Sequence, residues 1–174
     1  MKIHLVIGPM FSGKSSFLFR KINECKNVGK RILVINHTND SRCGDEIKTH
    51  DSLRHSALKV SNLDDIDNSF INEANVIIID EAQFFMGLKT FVEKELATGK
   101  TILLAGLDGD YKQRKFGELL DCIPLADEVT KLTAMCMDCL DGTQGPFTKR
   151  IVESKKLELV GGDDMYKAVC RRHL

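Results

Sequence analysis

A glycine-rich segment near the start of the chain limits the possible folds more than any other feature. An apolar run over residues 3–7 stops at a glycine, and residues 8–15 read GPMFSGKS, which matches the pattern G-x-x-x-x-G-K-S. The glycines let the backbone curl so that its N–H groups point at phosphate oxygens. Lys14 brings positive charge to the β- and γ-phosphates, and Ser15 offers a hydroxyl to Mg²⁺. The segment predicts a strand, a phosphate-binding loop and a helix whose N-terminus faces the anion.

Apolar runs of strand length alternate with helical periodicity along the first part of the chain. The runs at residues 3–7, 32–35, 76–79 and 102–105 are uniformly apolar, which is typical of strands buried on both faces of a parallel sheet. Between them, apolar residues at spacings of three and four predict three helices, the first ended by Gly29 and the third by Gly99. Their apolar positions are Leu18, Ile22, Cys25 and Val28, then Leu63, Ile66 and Phe70, then Leu88, Phe91, Val92 and Leu96. The alternation predicts the α/β class, with a parallel phosphate-loop sheet flanked by helices.

Acidic residues follow three of these runs. Asp40, Asp80 and Asp108 each come shortly after a predicted strand, so they should crowd the edge of the sheet where ligands bind. In phosphate-loop enzymes the first acid of a pair such as Asp80-Glu81 organises the Mg²⁺ shell, and the second orients or deprotonates the attacking group. The segment DEAQ at residues 80–83 also resembles motif II of nucleic-acid helicases, which leaves an ATP-driven nucleic-acid module as the alternative. Against it, the chain lacks a second such domain and a basic stripe interleaved with aromatics.

The composition is that of an ordinary globular protein. The 174 residues are 43% hydrophobic and 29% charged, with 25 acidic and 25 basic side chains, so no net charge draws the chain to nucleic acid or to an anionic membrane. The longest apolar runs, of about five residues, are too short for a membrane span or a secretory signal. Six cysteines without an export signal are expected in a reducing compartment. A cytoplasmic enzyme with no nucleic-acid or membrane partner is therefore expected.

The last forty residues carry a second signal. Two ligand pairs, C-x2-C and C-x2-H, are separated by thirty residues, and each has the tight spacing at which one turn presents two donors to zinc. The alternative is that these cysteines are merely buried or redox-active. The spacing predicts a structural Zn²⁺ site and divides the chain into an ATP-binding α/β domain (1–133) and a zinc-binding lobe (134–174). The predicted ligands are Cys136, Cys139, Cys170 and His173.

Several segments together resemble a known family, the type II, zinc-containing thymidine kinases. The resemblance rests on GPMFSGKS at 8–15, DEAQFF at 80–85, LDG at 107–109, KLTAMC at 131–136, GGD at 161–163 and Tyr166, in the family's order over nearly the whole chain. Shorter matches are DSR at 40–42 and THD at 49–51. It implies transfer of phosphate from Mg²⁺-ATP to thymidine, and it implies a homotetramer.

The resemblance also implies roles for individual residues. Glu81 would accept the proton of the thymidine 5′-hydroxyl, Arg42 would stabilise the transferring phosphoryl group, and Lys14 completes the catalytic set. The predicted ATP- and Mg²⁺-binding residues are Gly8, Pro9, Met10, Phe11, Ser12, Gly13, Lys14, Ser15, Asp40, Arg42, Asp80 and Gln83. The predicted nucleoside-binding residues are Met10, Phe84, Leu107, Tyr111, Phe116, Thr148, Leu157, Glu158, Leu159, Val160, Gly161 and Tyr166.

A few positions depart from the family pattern. Tyr111 stands where Phe is usual, Ala82 replaces a common Gly, Lys115 replaces a common Pro, and His173 replaces a frequent fourth Cys.

Since the thymine site and the phosphate loop would face each other across a short gap, thymidine triphosphate should occupy both and act as a feedback inhibitor.

Overall fold

The computed structural model describes residues 1–40, 46–48, 54–153 and 161–174. Its helices are α1 (Lys14–Asn27), α2 (Asn68–Glu73) and α3 (Leu88–Ala97). Its strands are β1 (Lys2–Ile7), β2 (Ile32–His37), β3 (Glu46–Lys48), β4 (Arg54–Ser56), β5 (Leu58–Val60), β6 (Val76–Ile79), β7 (Thr101–Gly106), β8 (Glu128–Lys131), β9 (Ala134–Met135), β10 (Gln144–Gly145), β11 (Phe147–Arg150) and β12 (Tyr166–Val169). Short 3₁₀ turns lie at Leu63–Asp65, Ala82–Phe84, Leu119–Leu125 and Arg171–His173.

Six strands form one parallel sheet in the order β5-β2-β6-β7-β1-β8, which confirms the predicted α/β class. The four apolar runs are its four central strands. Ile35 lies beside Ile79, and Ile7 lies beside Gly106. The strands therefore end together, and the loops that follow β1, β2, β6 and β7 meet along one edge.

The sheet is buried on both faces because alternate residues of each strand point to opposite sides. On one face Val6, Ile78 and Leu103 pack against Leu18 and Ile22 of α1. On the other face the neighbouring strand residues pack against α2 and α3. That second cluster includes Leu5, Ile77, Ile79, Ile102, Leu104, Ile71, Leu88, Phe91 and Val92. A strand buried on two sides is mostly apolar, which is why these runs could be recognised in the sequence.

The helix predicted over Leu63, Ile66 and Phe70 is wrong as a single element. Leu63 lies in a 3₁₀ turn and Ile66 in the extended residue after it, and α2 begins only at Asn68, where the Asp67 carboxylate accepts the Ser69 N–H. Within α2 the buried residue is Ile71, while Phe70 is 54% exposed. Side-chain capping by Asp67 begins a separate helix, and this helix buries Ile71 in place of the predicted Phe70.

Two further strands and one helix end also differ from the sequence interpretation. The edge strands β5 and β8 were not predicted, because a strand with a half-exposed surface carries polar residues and makes no apolar run. Val28, assigned to the apolar face of α1, lies just past the helix end and is 70% exposed. Gly29 follows with a φ of 70°, as predicted for a helix stop.

The residues after β8 form a small lobe of two-stranded ladders. β9 pairs with β10, and β11 pairs with β12, both antiparallel. The lobe's interior is small and consists of Cys136, Val169 and Cys170, with Cys139 and Phe147 against them. So few apolar residues cannot sustain a fold of this length, which points to a further stabilising element. In the described part of the chain, no helix is sufficiently long and apolar to cross a membrane.

Candidate active site

The phosphate loop connects β1 to α1 and already has the curled conformation that the motif requires. Gly8 has no room for a side chain, since a Cβ would overlap the Leu132 carbonyl oxygen, and Gly13 has a φ of 81°. The Lys14 ammonium is buried and donates to the carbonyl oxygens of Gly8 (3.2 Å) and Pro9 (2.7 Å). Ser12 Oγ also donates to the Pro9 carbonyl, at 2.8 Å. The loop thus holds a cation among its own carbonyls, where an anionic ligand can replace them as its partner.

Ser15 and Asp80 meet where the first turn of α1 approaches the end of β6. The Ser15 hydroxyl donates to Asp80 Oδ2 at 3.5 Å, while Asp80 Oδ1 accepts the Glu81 N–H at 2.9 Å. Asp80 is almost fully buried, and its own N–H donates to the Ile35 carbonyl of the adjacent strand. A hydroxyl and a carboxylate at this position are the oxygen ligands that Mg²⁺ prefers.

Asp40 is held at the same edge by two residues that the sequence analysis did not single out. The Asn36 side-chain amide, fully buried, donates to Asp40 Oδ2 at 3.0 Å. The Lys59 ammonium donates to the Asp40 carbonyl oxygen at 2.6 Å. Because Ile35 lies beside Ile79 in the sheet, Asn36 follows it next to Asp80. The Asn36–Asp40 contact is local, whereas the Lys59 contact depends on β2 and β5 lying side by side and follows no spacing rule in the sequence.

Glu81 is fixed through Gln83. The Gln83 Nε2 donates to Glu81 Oε2 at 2.7 Å, and its Oε1 accepts the Leu107 N–H at 3.0 Å. Glu81 itself has a φ of 51°, unusual for a residue with a side chain. Gly117 lies so close to Gln83 that a Cβ there would overlap the Gln83 carbonyl oxygen. The Glu81 carboxylate is therefore oriented by a buried amide that is itself fixed to the start of the β7 loop.

Aromatic residues predicted to line the nucleoside pocket form two groups of contacts. The rings of Phe84 and Phe116 pack edge to face with centroids 5.4 Å apart, and His37 contacts Phe84 at the same centroid distance. Tyr111 and Tyr166 both lie near Arg150, whose Cζ is 3.8 Å from the Tyr111 ring centroid and 5.4 Å from that of Tyr166. His37 and Arg150 were not predicted, because each contacts these rings from a distant segment.

The phosphate loop and the C-terminal lobe touch directly. The Met10 N–H donates to Thr148 Oγ1 at 3.0 Å, and Thr148 is buried in β11. Leu107 and Gly161 lie at the start of the β7 loop and just before β12, respectively. Arg42 and Leu157, Glu158, Leu159 and Val160 lie outside the described residues.

The loop after β7 has two further anchors. Asp110 accepts the N–H groups of Lys112 and Arg114 and an ion pair from the Arg114 guanidinium at 2.9 Å. Burial would raise the pKa of the Asp110 carboxyl, but these donors outweigh it and lower the pKa. Lys115 pairs with Asp121 at 2.7 Å and ties the loop to the following 3₁₀ turn.

The four predicted metal ligands converge, with their donor atoms within 4.8 Å of one another. A tetrahedral zinc with ordinary bond lengths requires sulfur–sulfur separations of about 3.8 Å and sulfur–nitrogen separations of about 3.6 Å. The Cys139 and Cys170 sulfurs are 3.7 Å apart, and His173 Nδ1 lies 3.6, 3.4 and 3.5 Å from the sulfurs of Cys136, Cys139 and Cys170. The donor set and its spacing therefore fit zinc, with all four positions filled by protein.

Backbone donors prepare one of these sulfurs for a metal. Burial disfavours the Cys136 thiolate, but N–H groups of Cys170, Asp138 and Cys139 and the His173 side chain lower the pKa of Cys136 to about 6. The Cys170 N–H donates to the Cys136 sulfur at 3.2 Å. The thiolate, which is the form that binds zinc, is thus favoured at neutral pH.

The fold and the site together define a phosphate-loop phosphotransferase with an appended Cys₃His lobe. The family model described as thymidine kinase matches residues 1–174. The thymidine kinase of Myxoma virus (strain Uriarra) is 40% identical over 171 residues, covering 98% of this chain and 94% of the viral protein. Those of Rabbit fibroma virus (strain Kasza) and Vaccinia virus (strain Western Reserve) are 42% and 41% identical over 170 residues, with the same two coverages. The chain therefore belongs to the thymidine kinase family, in its type II branch, and is an enzyme with thymidine kinase activity.

Proposed function

We propose that this enzyme transfers the γ-phosphoryl group of ATP to the 5′-hydroxyl of thymidine, with Glu81 as the general base. The bond from the thymidine oxygen to phosphorus forms, the bond from phosphorus to the ADP oxygen breaks, and Glu81 takes the hydroxyl proton. The observation that carries this role is the Gln83 amide, which holds the Glu81 carboxylate 2.7 Å away at the edge where the strands end.

The donor phosphates would lie in the loop of residues 8–15, with Lys14 turned from its carbonyl partners to the β- and γ-phosphates. Ser15 and Asp80 would hold Mg²⁺, directly or through water, and Asp40 would position its hydration shell or the donor phosphate. When bound, Mg²⁺ neutralises charge on the phosphates as the leaving group departs. Arg42 would stabilise the transferring group. The transition state is loose, so positioning and charge supply most of the rate.

The nucleoside would bind between the aromatic residues of the β7 loop region and the C-terminal lobe. Thymine presents an acceptor–donor–acceptor edge that main-chain groups near residues 157–161 can match. Cytosine reverses two of these functions, so the same groups would be left unpaired and cytidine would be rejected. Thr148, already bonded to the Met10 N–H, would link recognition of the base to the phosphate loop.

A structural zinc would be held by the Cys₃His cluster and would stabilise residues 134–174 as a lobe distinct from residues 1–133. Support comes from the tetrahedral spacing of the four donors and from the small apolar interior around Cys136 and Val169. Since no donor position is open, the metal would take no part in the reaction.

The proposal extends to regulation and assembly. Thymidine triphosphate would inhibit by placing its base in the nucleoside pocket and its phosphates in the loop of residues 8–15. The enzyme would act in nucleoside salvage in the cytoplasm as a homotetramer. No disulfide joins the cysteines of the described residues, in keeping with a reducing compartment.

Glu81→Gln tests the central step. Glutamine keeps the size and the hydrogen-bonding capacity but cannot accept the proton, so kcat for thymidine should fall by about 10²-fold or more, with thymidine affinity nearly unchanged. The matched control is Glu93→Gln, which alters an exposed carboxylate on α3 paired with Lys89 and should leave kcat unchanged. A Glu81→Gln enzyme with wild-type kcat would remove Glu81 from the role of base.

A further inference from the structure

Arg150 has no role in the reaction proposed above, yet it contacts two of the predicted nucleoside-binding residues. It is the last residue of β11 and pairs in register with Tyr166, the first residue of β12. Its Nη2 donates to the Tyr166 hydroxyl at 3.0 Å, and its guanidinium carbon lies 3.8 Å from the centroid of the Tyr111 ring. One planar cation therefore joins an aromatic residue of the β7 loop to an aromatic residue of the C-terminal lobe.

Both partners of Arg150 are themselves anchored. Tyr111 follows Asp110, whose carboxylate closes a turn with Lys112 and Arg114. Tyr166 is buried, and its strand leads in four residues to the metal ligand Cys170. Neither ring therefore lies on an unanchored segment, and Arg150 contacts both of them.

We propose that Arg150 is a positioning residue for thymidine, because its stacking on Tyr111 and its hydrogen bond to Tyr166 hold the two aromatic walls of the nucleoside pocket at a fixed separation. This inference rests on the proposed function, which assigns both tyrosines to that pocket. A guanidinium suits the task because its flat face stacks on one ring while its edge donates to another group, and it stays charged at every relevant pH. The Tyr111 ring provides the stacking surface.

Steady-state kinetics of Arg150→Met test the inference. Methionine keeps an unbranched apolar stem and loses both contacts, so KM for thymidine should rise about tenfold while KM for ATP stays within about twofold. Tyr111→Leu should raise the thymidine KM similarly, Tyr111→Phe should raise it less, and the Arg150→Met/Tyr111→Leu double variant should be little worse than either single one. A double variant that is little worse than either single one would show that the two side chains act through the same contact. A general loss of stability would not give this result.

Arg171→Met is the matched control. Arg171 also stacks on a ring of the same lobe, with its guanidinium carbon 4.6 Å from the Phe147 centroid, but it is exposed and lies after β12, beyond Cys170. Its replacement should leave the thymidine KM unchanged. An equal rise in Arg171→Met would overturn the inference, since the effect would then reflect the lobe as a whole.

The remaining outcomes separate this inference from the function on which it rests. If Arg150→Met raises KM for ATP as much as KM for thymidine, Arg150 contacts phosphate and the inference is wrong. If its thymidine KM equals that of the wild type, the inference is also wrong, while the kinase reaction stands. Wild-type protein that forms no thymidine monophosphate would instead refute the proposed function, whatever the variants do.

Discussion

Replacing Gln83 with methionine should remove the hydrogen bond that orients the Glu81 carboxylate. Methionine keeps the unbranched shape but removes the Nε2 donor to Glu81 and the Oε1 acceptor of the Leu107 N–H. A hydrogen bond to an ionised carboxylate contributes about 1.5–3 kcal/mol. If this energy holds Glu81 in its reactive orientation, losing it lowers the oriented population, and with it kcat, by about 10- to 100-fold.

The same substitution should also lower stability. Gln83 is only 2% exposed, so water cannot replace its side chain, and the Leu107 N–H is left without its acceptor. The two losses together should lower the free energy of unfolding by roughly 2–4 kcal/mol. For a chain of this size, that corresponds to a fall in Tm of about 5–15 °C.

The assay varies thymidine and ATP separately at a temperature well below the Tm of the variant. The control, Gln144→Met, changes an exposed amide bonded to Thr133 and should leave kcat unchanged. A kcat for Gln83→Met within about threefold of wild type would refute the positioning argument. A raised KM for ATP with unchanged kcat would instead favour the other predicted role of Gln83, in binding ATP and Mg²⁺.

Three more predictions follow from the site. Gly117→Ala should lower both Tm and kcat, since the residue has a φ of 60° and a Cβ there would overlap the Gln83 carbonyl oxygen. Calorimetry measures the Tm and steady-state kinetics the kcat, and wild-type values of both would contradict the prediction. Cys139→Ser should lower the zinc content below about one ion per chain, as measured by metal analysis, and should weaken thymidine binding more than ATP binding. Active wild-type protein that contains no metal would argue against a structural zinc. Thymidine triphosphate should inhibit far more strongly than the monophosphate and lose potency in Lys14→Ala; equal inhibition by the two would show that one molecule does not bridge both sites.

Local and fully buried features were predictable from the sequence. The phosphate loop depends on glycines and a lysine within residues 8–15, and the central strands are mostly apolar because both of their faces are covered. The two ligand pairs of the Cys₃His cluster are each confined to one turn, so their spacing is visible along the chain. The helix predicted over Leu63, Ile66 and Phe70 failed where local capping by Asp67 outweighed the apolar pattern.

Only the tertiary structure decided which distant groups orient the site. Lys59 donates to the Asp40 carbonyl oxygen, Gln83 accepts the Leu107 N–H, and the Met10 N–H donates to Thr148, across separations of 19, 24 and 138 residues in the chain. None of these contacts has a periodicity or a spacing rule, because each depends on the order of strands in the sheet and on how the C-terminal lobe docks. Amino-acid patterns encode burial and local backbone geometry, whereas the orientation of a catalytic side chain depends on the packing of segments far apart in sequence.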